Sequence, residues 1–200
     1  MQKYVSLMRV VSLQPPEGKI FSEDDWNYES DLEHGPYCYS KRLAEEKAWQ
    51  LVRELGSHIE LAVVNPSFVL GAPAFFSPSR KSSTSISFAK SLIEGKFKNG
   101  APGACLCYVD VNDVAKAHVE AMLRPEAAGQ RFIVSSTRGQ TYVDISDELR
   151  AHGYGHLPLP TELTAPFVYR GQFTRTKAET GPGVHVPVVG AIPVKAAQLL

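Results

Sequence analysis

Neither sign of charge predominates in this sequence: Lys and Arg number 21, and Asp and Glu number 21. No positive field exists to recruit nucleic acid or an anionic lipid surface, which sets both aside as partners. Cysteine is scarce. Cys38, Cys105 and Cys107 are too few and too unevenly spaced for a disulfide framework, and they point to a reducing cytoplasm. No uninterrupted apolar run approaches a membrane span, and charge breaks the opening segment from Met1 to Arg9 too early for a secretory signal. Asn65-Pro66-Ser67 is void as a glycosylation acceptor because proline stands in its middle.

Glycine-rich phosphate cradles are also missing. Gly153-Tyr154-Gly155 runs into Pro158 and Pro160, and Gly181-Pro182-Gly183 loses a donor to proline, so neither opens a helix after a strand. Metal-ligand patterns fail one by one. Cys105-x-Cys107 on a strand sends its sulfurs to opposite faces, and His152-x-x-x-His156 spans two helix-weakening glycines. Asp110-x-Asn112 lacks a calcium loop's later oxygens, with Val114 and Ala121 in their places. No metal site is expected.

What is present describes one globular domain: 200 residues, 44% of them hydrophobic, with 15 Gly and 14 Pro. Alternation and β-branching predict strands at Tyr4-Val5-Ser6 continuing through Val10 to Leu13, at Ile59 to Val64, at Leu106 to Val109, and at Phe132 to Val134. Ser22 ahead of Glu23-Asp24-Asp25-Trp26 predicts a one-turn helix start. A long helix is predicted from Tyr37 to Leu55, following Gly35-Pro36 and ending on Gly56, with Ala44, Ala48, Leu51, Val52 and Leu55 inward and Glu45, Glu46, Lys47 and Arg53 outward. Further helices are expected from Ile86 to about Gly95, after an Asp110 cap with Val114, Ala117, Ala121 and Met122 on one face, and from Thr141 to His152. The Pro-rich text beyond Gly153 is expected on the surface. The alternation of helix and strand indicates an α/β chain with a parallel sheet.

Tyr37-Cys38-Tyr39-Ser40-Lys41 is the stretch with the clearest chemistry. Residues four apart on a helix share a face, so the Tyr37 phenol and the Lys41 ammonium can occupy one small volume, where the cation favours phenolate and suits the phenol to acid/base work. Tyr39 has Leu43 at the corresponding position and cannot substitute. With eight tyrosines in the chain the pair alone is weak evidence, and a solvated lysine on an amphipathic helix explains it equally well.

Three blocks in order change that balance: Tyr37-x-x-x-Lys41 opening a helix and running on through Arg42-Leu43-Ala44-Glu45, then Asn65-Pro66-Ser67-Phe68-Val69-Leu70-Gly71, then Tyr108-Val109-Asp110-Val111-Asn112-Asp113-Val114-Ala115. Together they resemble an extended short-chain dehydrogenase/reductase of the epimerase/dehydratase superfamily, nearest the dihydroflavonol 4-reductase and cinnamoyl-CoA reductase group. Gly129-Gln130-Arg131-Phe132-Ile133-Val134 is similar to that family's late strand, and the likeness covers roughly residues 20 to 160.

The resemblance implies the C-terminal portion of a Rossmann-like doubly wound parallel sheet, a single and incomplete domain over residues 1–200, with a small substrate-side lobe drawn mainly from 71–105 and 136–200. It implies an NADP(H)- or NAD(H)-dependent oxidoreductase that reduces a carbonyl or oxidises a secondary alcohol of a small, aromatic or bulky substrate. Tyr37 would be the proton donor, Lys41 the partner that acidifies it and holds the nicotinamide ribose, and Ser6 the third catalytic member, with Ser12 as fallback. Pro66, Ser67 and Val69 would flank the nicotinamide ring, at the carboxyl end of a strand where open α/β sheets bind ligands.

Because the glycine-rich turn is missing, the expectation is a fragment that alone holds NADP weakly and exposes a sheet edge and apolar surface. The alternatives are a non-catalytic binding or regulatory relative that has lost its cofactor, and a sugar-nucleotide epimerase or dehydratase sharing the Tyr/Lys pair.

Overall fold

The computed structural model describes residues 2–7, 19–71, 83–166 and 172–173. In chain order its main elements are β1 (Gln2–Leu7), β2 (Ile20–Phe21), α1 (Pro36–Leu55), β3 (Ile59–Pro66), β4 (Phe68–Leu70), α2 (Thr84–Ile93), β5 (Cys105–Leu106), β6 (Tyr108–Asp110), α3 (Val111–Leu123), β7 (Arg131–Val134), β8 (Gln140–Thr141), α4 (Tyr142–Leu149) and β9 (Gln172–Phe173).

The β-branched run of β3 forms the middle of a parallel sheet ordered β1-β3-β7, with Ser6 opposite Val63 on one side and Val64 opposite Phe132 on the other. Period-two alternation gives β3 two different faces. Ala62 and Val64, with Phe132 and Val134 of β7, pack on Val114, Ala117 and Ala121 of α3. Leu61, Val63 and Asn65 point to the opposite face, which α1 covers. A smaller lobe assembles where β4 pairs in parallel with β6, and Leu70, Leu92, Tyr108, Ile145, Leu149 and Leu159 bury one another there.

Local signals account for the helix ends. Asp110 caps α3 by accepting from the Asn112 N–H at 2.7 Å, and Thr141 with Asp144 closes a capping box on α4. Gly56 ends α1 with φ 68°, a conformation that favours glycine. No helix among the described residues is long and apolar enough to cross a membrane.

Several expectations are corrected. The inward face of α1 is not the apolar one: Glu45 is fully buried, whereas Ala44, Leu51 and Leu55 are exposed. Ser22 opens a turn rather than a helix, because the Asp25 carboxylate accepts from the Ser22 N–H at 2.8 Å while the Asp25 N–H donates to the Ser22 carbonyl. The strand expected from Leu106 to Val109 is two, since β5 leaves to pair antiparallel with β8 while β6 pairs with β4. Met122 is about half exposed rather than inward. The segment after Gly153 is not all surface, because Leu159 joins the small lobe's core. The expected strand from Val10 to Leu13, and most of the loop after Gly71, lie outside the described residues.

Candidate active site

Topology fixes where Tyr37 stands. α1 packs on β3 and delivers the chain to its amino end through Gly56, so α1 runs antiparallel to β3 and its first turn lies at the sheet's carboxyl end. Gly35, with φ 80°, turns the chain, and Pro36 sits at the first helical position, where its missing N–H costs nothing.

Tyr37 is thereby held on a rigid helix yet is 58% exposed, and the Lys41 Nζ lies 5.5 Å from its ring centre. The helical neighbours expected from the sequence are neighbours in space. Tyr39 is occupied otherwise, since the Arg42 guanidinium lies 5.1 Å from its ring centre and 5.2 Å from that of Tyr28. Tyr108, the other tyrosine in the family-like blocks, is sealed in the small lobe, where burial first and the charge of Tyr142 next push its phenol far above the usual tyrosine range. Of the tyrosines in those blocks, Tyr37 is the one with both solvent access and an ammonium beside it.

At the carboxyl end of β3 the polar inventory is unusual. Asn65 is 5% exposed and, among the described residues, neither its amide nitrogen nor its amide oxygen has a hydrogen-bond partner; the Ser67 hydroxyl is buried and likewise has none among them. A buried amide left unsatisfied on both atoms carries a desolvation cost of about 1–3 kcal/mol. The Ser67 N–H is used, donating to the Val134 carbonyl at 3.1 Å, and Val69 pairs with Val109 in the β4–β6 ladder. Pro66 closes β3 opposite Val134. Ser6 lies in β1 opposite Val63, and its side chain is outside what the structure describes, as is the whole of Ser12.

Sequence reasoning missed the cluster beneath this site. Arg131 donates from Nε to Glu45 Oε1 at 2.6 Å and from Nη2 to Oε2 at 3.2 Å, a bidentate pair. The Trp49 indole N–H donates to the same Glu45 oxygen at 3.2 Å, and the Arg131 guanidinium lies 4.0 Å from the Trp26 ring centre. Arg131 also donates to the carbonyls of Glu23 and Asp25, and the Glu23 carboxylate accepts from the Ile133 N–H at 3.0 Å. One available signal was the spacing of Glu45, Trp49 and Val52, which puts the acid on the same helical stripe as two apolar side chains. Among the described residues no group of three or more His, Cys, Asp and Glu side chains is placed to hold a metal ion.

No family model matches the chain. Over 139 residues it is 37% identical to the NADPH-dependent methylglyoxal reductase GRE2 of Saccharomyces cerevisiae, an alignment covering 64% of this chain and 40% of that protein. Over 173 residues it is 35% identical to cinnamoyl-CoA reductase 2 of Medicago truncatula, covering 80% of this chain and 46% of that one. The solved yeast methylglyoxal/isovaleraldehyde reductase Gre2 complexed with NADPH superimposes with a TM-score of 0.77 at 25% identity, covering 99% of this chain and 63% of that one. The chain therefore spans less than half the length of these curated relatives. With three family-like blocks on a matching α/β frame, the chain is a partial homologue of the Gre2 and cinnamoyl-CoA reductases and shares the fold of the extended short-chain dehydrogenase/reductases.

Proposed function

We propose that this chain is the proton-donating and substrate-facing portion of an NADP(H)-dependent reductase that acts on a carbonyl of a small molecule. The observation that carries this reading is the exposed Tyr37 phenol with the Lys41 ammonium 5.5 Å from its ring centre, on the first turn of a helix at the carboxyl end of a parallel sheet. The relatives at 37% and 35% identity are named as reductases, one of them NADPH-dependent, which agrees with it.

The residues at the end of β3 suit a nicotinamide. Its carboxamide needs both a donor and an acceptor, and the Asn65 amide and Ser67 hydroxyl offer both while having no partner among the described residues. A nicotinamide bound there would supply the hydride; the chain's own contribution is position and a proton. Lys41 stabilises the phenolate left when Tyr37 gives its proton to the substrate oxygen, and the family resemblance assigns its ammonium to the cofactor ribose. Ser6, on the strand beside β3, is assigned the hydrogen bond that orients the substrate oxygen. The lobe built on β4, β6, α2 and α4 is assigned the substrate side, its aromatic rings Phe68, Phe88, Tyr142 and Phe97 forming a chain of edge-to-face and tilted contacts. That the three cysteines form no disulfide is in keeping with a cytoplasmic protein.

Joined to the complementary portion of a Gre2-type relative, the chain should consume NADPH with methylglyoxal, and Tyr37→Phe should lower kcat at least about a hundredfold with little change in KM. A Tyr37→Phe protein that turns over at nearly the parent rate would overturn the assignment.

A further inference from the structure

At the other end of α1 lies a cleft of about 370 Å³ that the reductase reading does not use. Trp49 stands twelve residues beyond Tyr37, about 18 Å along the helix axis, so the cleft is separated from the proton-donating turn by the buried Glu45 layer. Its walls are Trp26, Tyr28 and Trp49, and its polar groups are Glu46, Arg53 and Arg131. The volume falls within the range of about 300–1,000 Å³ usual for small-molecule sites.

The charges around it do not cancel. Arg131 is neutralised by Glu45 through two hydrogen bonds, and Glu46 by Arg42 at 2.9 Å. Arg53 is exposed and, among the described residues, has neither a hydrogen bond nor an ion pair, so one guanidinium remains uncompensated at the rim. The Trp26 and Tyr28 rings are inclined by only 21° with centres 6.5 Å apart, and Gly129 adds no side chain to the rim, a Cβ there meeting nothing within 4 Å. Flat aromatic walls favour a flat ring, and a lone guanidinium with five donors favours a carboxylate.

We propose that this cleft binds a small planar aromatic carboxylate, its ring against the indoles and its carboxylate on Arg53. The site is independent of the Tyr37 assignment and stands if that assignment fails.

Both tryptophans of the chain line the cleft, so the two indole N–H resonances of the ¹⁵N-labelled 200-residue protein read it directly. With 2-naphthoate as the probe, both resonances should shift and saturate, and 2-naphthamide should bind about tenfold more weakly, the preference of one charge-assisted contact. Arg53→Gln should abolish that preference while leaving naphthamide affinity unchanged, and Arg53→Lys should restore part of it. The remaining amide spectrum reports that each variant is folded. Unsaturable shifts with naphthoate, equal affinity for acid and amide, or a preference that survives Arg53→Gln would each overturn the proposal.

Discussion

The first turn of α1 and its middle turns are built on opposite terms. At the first turn Tyr37 is 58% exposed and its cationic neighbour lies against the ring with no ion pair among the described residues. Two turns on, Glu45 is wholly buried, its carboxylate bound by Arg131 from the sheet and by the Trp49 indole. One end holds charge where it can act; the other holds charge where it can only be satisfied. The difference teaches how an exposed side chain is kept in place without being buried. The ion pair anchors the helix to β7, and the helix holds the phenol at the carboxyl end of the sheet.

Breaking the anchor should have the largest effect. Glu45→Ala strands the Arg131 guanidinium in the interior and should lower unfolding free energy by about 3–5 kcal/mol in urea titrations. Replacing both partners with methionine removes the stranded charge, so the double variant should lose less stability than Glu45→Ala alone; a double variant that is worse would place the value of the pair in the contacts of Arg131 with the Glu23 and Asp25 carbonyls.

At the open end the pattern should invert. Tyr37→Phe, whatever it does to turnover, should leave unfolding free energy within about 0.5 kcal/mol of the parent, because it removes an exposed hydroxyl that makes no hydrogen bond among the described residues. Smallest of all should be the effect of acid on the segment that leads into the anchor. Partial burial pushes the Asp25 carboxyl up, but hydrogen bonds from Lys19 and Ser22 and the Lys19 charge outweigh it and hold the carboxyl below its ordinary 3.8. The stability this contributes is fully present above that unfolded-state value and is lost as pH falls through the lower folded-state one. Lys19→Gln should weaken this acid dependence by a few tenths of a kcal/mol, the worth of a screened pair, measured as the unfolding midpoint between pH 5 and pH 2.

Much of the frame was legible because its causes are local. Gly35-Pro36 and Gly56 bracket α1, β-branching marks β3, and Asp110 announces α3 within one turn of itself. The Tyr37/Lys41 neighbourhood followed from helical period alone. What was illegible depended on distant partners. Nothing beside Glu45 says that a guanidinium 86 residues away will meet it, so an acid in a helix read as solvated. The turn at Ser22 was misread because Asp25 satisfies it from three residues on, where a helix would have used the backbone. The burial of Leu159 was hidden in proline-rich text whose only hydrophobic period is set by the lobe it closes. The Asn65 amide, without a partner among the described residues, has no sequence signal beyond standing at the end of an apolar run.

Gly71 adopts φ 146°, and a Cβ there would come within 2.5 Å of the Val111 side chain at the start of α3. The segment that follows it leaves from a spot no larger residue can occupy, hard against the helix whose core holds the sheet together. Selection can therefore rewrite that segment's length and chemistry while its point of departure stays pinned; grafts between relatives should be cut after this glycine, not before it.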